Sequence, residues 1–272
     1  ISRDNPTCFL FLVDRSGSMA KPFPGNPDRT KAHSVADALN RLLHELVSRC
    51  SKGIDILDRY DIGVIGYGDT QVTPALGGAL SGRRLVPVSE IAKHPLRVEK
   101  RTKKQPDGAG GLVETTVMVP VWYRAAAKGR TPMNAAFTMA YEIIDDFIQK
   151  HPRCFPPVLI NITDGQPSDA DPRPKAAALR NLASQDGNVL LFNLHVSSTS
   201  AAPIQYPVEE AGLPDKYAKI LFRMSSPIPP NMLNQARAVA PDIAEGARGF
   251  VFNADIVATI QMLEIGTMRT KG

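Results

Sequence analysis

Cys8-Phe9-Leu10-Phe11-Leu12-Val13-Asp14-Arg15-Ser16-Gly17-Ser18 runs six apolar residues without a break into a carboxylate, and then places two hydroxyls on either side of a glycine. A strand buried on both faces of a parallel sheet reads as such a continuous apolar run, so the segment predicts a central strand ending near Asp14. Open α/β sheets bind ligands in the crevice beyond the carboxyl ends of their strands. Asp14, Ser16 and Ser18 therefore lie where a site belongs, although a Ser/Gly turn also has a plain structural use, its side chains capping backbone groups.

Two later segments bear on that choice. Val158-Leu159-Ile160-Asn161-Ile162-Thr163-Asp164-Gly165 is a second buried strand ending in a carboxylate and a glycine turn, and Gly129-Arg130-Thr131-Pro132 opens a helical pattern. Singly, each has a structural reading: Asp164-Gly165 is an ordinary turn, and Thr131 is a good N-cap ahead of Pro132 at the first helical position. Their order and spacing are what those readings leave unexplained.

Taken together, DRSGS, GRTP and ITDG resemble the von Willebrand factor A (vWA) family, whose metal-ion-dependent adhesion site (MIDAS) is written DxSxS, then a Thr, then an Asp in a TDG-like turn. All five positions are filled, by Asp14, Ser16, Ser18, Thr131 and Asp164. The SGSM form ending at Met19 resembles the bacterial intracellular branch of the family. The resemblance implies a Rossmann-like fold and a divalent cation on those five residues, completed by an Asp or Glu carboxylate from a protein partner. It also implies a setting in bacterial multi-protein stress or signalling systems, beside protein kinases, phosphatases or MoxR-type ATPases. The donor set suits Mg²⁺, a small hard cation that takes oxygen ligands in near-octahedral geometry, with Mn²⁺ or Ca²⁺ as alternatives.

Composition is compatible with one large α/β domain: 272 residues, of which 43% are hydrophobic, allow a sizeable core. The expectation is a single vWA-like domain over residues 1–272 with an insertion at about 75–128. No segment approaches the roughly 20 apolar residues that cross a bilayer, and Ile1-Ser2-Arg3-Asp4-Asn5-Pro6 lacks the regions of a signal peptide. A cytoplasmic protein without a membrane role is expected. Cys8, Cys50 and Cys154 are widely spaced and read as buried thiols of a reducing compartment; no CxxC or HxxxH spacing suggests zinc. His195 lies in an apolar run and reads as a structural histidine. A net charge of +5 favours acidic partners in general.

Along the chain, Lys21 to Pro27 reads as a rigid loop, with Asp28 capping a helix to about Cys50 whose apolar positions follow one face. Tyr60 to Gly68 reads as the next strand. More than sixty residues then precede Thr131, and the runs around Pro106-Asp107-Gly108 predict a β-hairpin. Its basic residues Arg97, Lys100, Arg101, Lys103 and Lys104 read as a solvated loop, because aromatics are not interleaved with them as in single-strand binders. Trp122 and Tyr123 either rim the site or join the core. Further helices are expected after Thr131, at about 175–184, near 214–224 and 230–239, and after Ile256, with strands at 189–196 and 249–252. The alternation of strand and helix predicts a doubly wound, mostly parallel sheet with helices on both faces.

The leading functional expectation is a metal-dependent protein-interaction module rather than an enzyme. One alternative is a Mg²⁺-dependent phosphoryl hydrolase using Asp14 or Ser16, although no HxS or GxSxG context supplies a base for the serine. The other is a nucleic-acid-binding regulator using the basic insertion.

Overall fold

The fold is described from a computed structural model covering residues 5–23, 26–106, 112–196 and 202–267. Its centre is β1, Thr7–Asp14, every residue of which is buried. Side chains alternate between the two faces of a strand, so Phe9, Phe11 and Val13 pack on one side while Cys8, Leu10 and Leu12 pack on the other. This double burial is why the run contains no polar position before Asp14.

The chain continues through α1 (Lys31–Cys50), β2 (Tyr60–Gly68), β3 (Gln71–Pro74), α2 (Val88–Lys93), the hairpin β4 (Arg97–Pro106) and β5 (Leu112–Val121), α3 (Met133–Lys150) and β6 (Val158–Thr163). It then forms α4 (Arg173–Asn181), β7 (Leu190–Val196), α5 (Lys216–Met224), α6 (Pro230–Val239), β8 (Phe250–Ala254) and α7 (Ile256–Gly266). Among the described residues the main sheet has eight strands, in the order Ile204–Gln205, β8, β7, β6, β1, β2, β3, with Val86–Pro87 also pairing with β2. The five central strands are parallel, and the short edge strands run antiparallel. Helices α1, α2, α6 and α7 cover one face, and α3, α4 and α5 the other. The fold is therefore the expected doubly wound α/β architecture.

Strand order locates the crevice. From β1 the chain moves to β2 on one side and later crosses to β6 on the other, so the topological switch point lies between β1 and β6. Register brings the strand ends level there, Val13 pairing with both Gly66 and Ile162, and Thr163 with His195.

Residues 21–30 are more than a loop: Pro22–Phe23 pairs with Asn26–Thr30, which keeps Asp28 extended and delays the helix. Thr30, not Asp28, is the N-cap, its hydroxyl accepting from the His33 N–H at 3.3 Å. Helix α3 begins at Met133 without a cap from Thr131; instead the Asp169 carboxylate accepts from the N–H groups of Asn134 and Ala135. The β4–β5 hairpin forms, its strands pairing from Arg97↔Val121 to Pro106↔Leu112. Its turn at Asp107 and Gly108 lies outside the described residues, as do Ser197 to Ser200.

The base of the hairpin is held by one buried side chain. The Asn40 carbonyl accepts from the backbone N–H groups of Trp122 (2.8 Å) and Tyr123 (3.0 Å), while its amide donates to the carbonyls of Tyr123 and Ala36. Trp122 and Tyr123 are thus core aromatics, each 2% exposed. All three cysteines are buried, free thiols, and among the described residues no helix is long and apolar enough to cross a membrane.

Candidate metal centre

Four of the five expected ligands meet at the switch point. Asp14 ends β1 and is buried with Ser16; its Oδ1 accepts from the Ser16 N–H at 2.8 Å and its Oδ2 from the Thr163 hydroxyl at 2.8 Å. Ser16 Oγ lies 3.0 Å from Ser18 Oγ, and the Ser18 hydroxyl donates to Asp164 Oδ1 at 2.6 Å. Two carboxylates and two hydroxyls from separate loops thus form one continuous oxygen cluster.

Thr131 reaches the same edge through its backbone. Gly17 N–H donates to the Gly129 carbonyl at 2.9 Å, tying the GRTP segment to the DRSGS loop. On the other side Thr131 N–H donates to Ser168 Oγ and Ser168 N–H to the Thr131 carbonyl, so the polar loop after Asp164 borders the site. Among the described residues the Thr131 hydroxyl makes no hydrogen bond with the other four.

Two glycines permit this lacing. A Cβ on Gly68 would stand 2.7 Å from the Arg15 carbonyl oxygen, and one on Gly129, whose φ is +71°, would stand 2.5 Å from Asp69 Cα. Gly129→Ala combines a left-handed backbone with a backbone clash and should cost at least about 2 kcal/mol. An unchanged thermal midpoint would show that the three loops are not locked as described.

Burial sets the electrostatics. Desolvation raises the Asp14 carboxyl to about 6, with the hydrogen bonds from Ser16 and Thr163 acting against it and the negative charge of Asp164 adding to it. The second carboxylate already has a counter-charge that sequence reading did not include: Lys31 Nζ pairs with Asp164 Oδ2, the two side chains 1% and 0% exposed. A signal was present, since Lys31 heads the buried stripe of α1, four residues before Val35. Arg15, next to Asp14, turns away from the cluster and lays its guanidinium 5.3 Å from the Tyr123 ring centroid.

Beneath the site runs a further polar chain that the strand pattern concealed. The Tyr67 hydroxyl donates to Asn161 Oδ1, Asn161 Nδ2 to Asn193 Oδ1, and Asn193 Nδ2 to Ser225 Oγ, at 2.8, 2.9 and 3.0 Å. His195 is structural, as read: its ring stacks on Phe252 with centroids 4.3 Å apart, and Nδ1 accepts from the Asn253 N–H. Desolvation lowers its pKa to about 4.

The residues fit a small hard cation. All the donors are oxygens, which such ions prefer; among the described residues the desolvated Asp14 has no ion-pair partner; and an ammonium stands on Asp164 as a built-in cation.

No protein-family model matches the chain, and no curated protein matches it. Among solved structures, the chain is similar to the vWF domain of the type V pili tip protein Mfa5 from Porphyromonas gingivalis, with 14% identity, 60% of this chain and 39% of that chain covered, and a TM-score of 0.33. A structure of three N-terminal domains of the same pilus protein gives 15% identity, 60% and 20% coverage, and a TM-score of 0.32. The chain thus spans well under half the length of either. Strand order and register define the doubly wound α/β fold.

Proposed function

We propose that this chain is a vWA-type recognition module that holds a divalent cation, Mg²⁺ before Mn²⁺ or Ca²⁺, and uses it to bind an Asp or Glu side chain of a protein partner. The observation that carries the reading is the contact of Ser18 Oγ with Asp164 Oδ1 at 2.6 Å. It joins DRSGS to the TDG turn across the switch point, placing two carboxylates and two hydroxyls around one spot. Asp14, Ser16, Ser18 and Asp164 would hold the ion, with Thr131 on the adjoining loop. When bound, the cation supplies a positive centre with exchangeable positions that an outside carboxylate can enter.

Recognition is favoured over catalysis because the serine hydroxyls contact each other and Asp164, while the imidazole of His195 is engaged with Asn253 and has its pKa lowered by burial. A serine nucleophile needs an adjacent base. Kinase, phosphatase or MoxR-type ATPase systems of a bacterial cell are the proposed setting.

Calorimetric titration with MgCl₂ and MnCl₂ should show binding to the wild type and none to Asp164→Ala, with the far-ultraviolet dichroism of the variant unchanged. Identical isotherms for the two proteins would overturn the site. A pulldown with and without chelator should differ by the partner; hydrolysis of a generic phosphate ester, lost in Asp14→Asn, would restore the enzymatic alternative.

A further inference from the structure

Among the described residues the hairpin β4–β5 forms a two-stranded sheet of its own, apart from the main sheet. Where its base meets α1 it encloses a cavity of about 230 Å³ whose lining includes Arg29, Arg97, Arg101, Arg124 and Asp37. Glu99 stands beside it. The charges do not balance. Arg101 is shared between Asp37 (3.0 Å) and Glu99 (2.8 Å), Arg29 pairs with Asp37, and Arg97 pairs with Glu99 at 2.5 Å. Three guanidiniums therefore divide two carboxylates, and Arg124 makes no ion pair among the described residues. The cup carries an excess of two positive charges.

Its floor is rigid. Asn40, Val121 and Tyr123 line it and are buried, and the Asn40 amide clamps the backbone of Tyr123. Guanidinium groups recognise carboxylates in planar, bidentate fashion; Arg29, Arg97 and Arg101 are held around the hollow by Asp37 and Glu99, which preorganises them for it, while Arg124 is exposed beside them. The hollow is smaller than the ~300–1,000 Å³ typical of small-molecule pockets, which suits side-chain ends rather than a nucleotide. Nor does it offer a stacking platform, since the Tyr123 ring is buried and faced by the Arg15 guanidinium. Base stacking on aromatics is what sequence-tolerant single-strand binding uses.

The cup also adjoins the candidate metal centre. Helix α1 carries Lys31 at the oxygen cluster and Asp37 in the cup, and Tyr123 lines the cup while contacting Arg15, the neighbour of Asp14.

We infer that this cup is a second recognition point, which binds an acidic peptide segment with at least two closely spaced carboxylates. It rests on the proposed function only in that the same partner would deliver the segment to this edge.

The probe is a fluorescein-labelled octaglutamate peptide, followed by anisotropy in EDTA at low ionic strength. Wild type should bind it; Arg97→Ala with Arg124→Ala should weaken binding at least tenfold, and Glu99→Gln, which adds net positive charge, should tighten it. That tightening is a change that misfolding cannot mimic. Binding by the double variant within twofold of wild type would overturn the site, as would an equal loss in Arg83→Ala/Arg84→Ala, which removes the same charge elsewhere. A single-stranded oligonucleotide that outcompetes the peptide at equal charge would overturn it in favour of nucleic acid. Repeating the titration with Mg²⁺ separates the two readings. An affinity that Mg²⁺ does not raise counts against the metal centre alone, and peptide binding insensitive to the cup variants counts against the cup alone.

Discussion

Asp14→Asn is expected to make the chelated protein more stable than wild type by about 1–3 kcal/mol at neutral pH while abolishing divalent-ion binding. A carboxyl held at about 6 in the fold against 3.8 as its ordinary value costs the folded state about 3 kcal/mol once both states are ionised. Because the folded value is the higher one, the unfolded chain releases its proton first as pH rises. The penalty is absent below about pH 3.8, grows between there and 6, and is complete above 6. An amide at this position has no charge to desolvate. Its oxygen can still accept from the Ser16 N–H, and its NH₂ can donate to Thr163 Oγ1, whose proton is then free for the Gly165 carbonyl 3.3 Å away. Urea denaturation in EDTA at pH 7.5 should therefore give the variant the higher midpoint, with the two proteins converging toward pH 4. A variant less stable at pH 7.5 would mean that Asp14 is better compensated than its surroundings indicate.

The second large effect has the opposite sign. Lys31→Met leaves Asp164 buried without its ammonium, and breaking one side of a buried pair costs about 3–5 kcal/mol. The charge at the cluster goes from one net negative, two carboxylates against one ammonium, to two. Mg²⁺ should then bind at least tenfold more tightly, and its addition should raise the thermal midpoint further in the variant than in wild type. Equal Mg²⁺ responses would show that Lys31 and the cation do not compete for Asp164.

The architecture was readable because β1 and β6 are buried on both faces, which leaves apolar runs with a polar residue only where the strand reaches the crevice. The helical stripes of α1 and α3 were visible for the same reason: one face of each is core. Helix starts were less visible, since they depend on contacts from afar. Asp169 caps α3 from the loop after β6, and the pairing of Pro22–Phe23 with Asn26–Thr30 holds Asp28 out of α1. At the site, Asp14, Ser16, Ser18 and Asp164 could be named from local motifs, because each motif contributes its own side chains. Lys31 carries only the weaker signal of a lysine on a buried stripe, since its role arises only when α1 folds across the switch point and sets the ammonium against Asp164. The arginine cup is hidden likewise: the basic run by itself reads as a solvated loop, and its imbalance emerges only when Arg29, Asp37 and Arg124 are brought beside it.

The chain of Tyr67, Asn161, Asn193 and Ser225 beneath the site bears on how related sequences can diverge. Each of the four satisfies its neighbour, so a single exchange strands a buried donor or acceptor, at about 1–3 kcal/mol, whereas joint replacement by apolar residues of similar shape strands none. Drift at these positions should therefore be concerted, with natural variants keeping all four polar partners or losing them together.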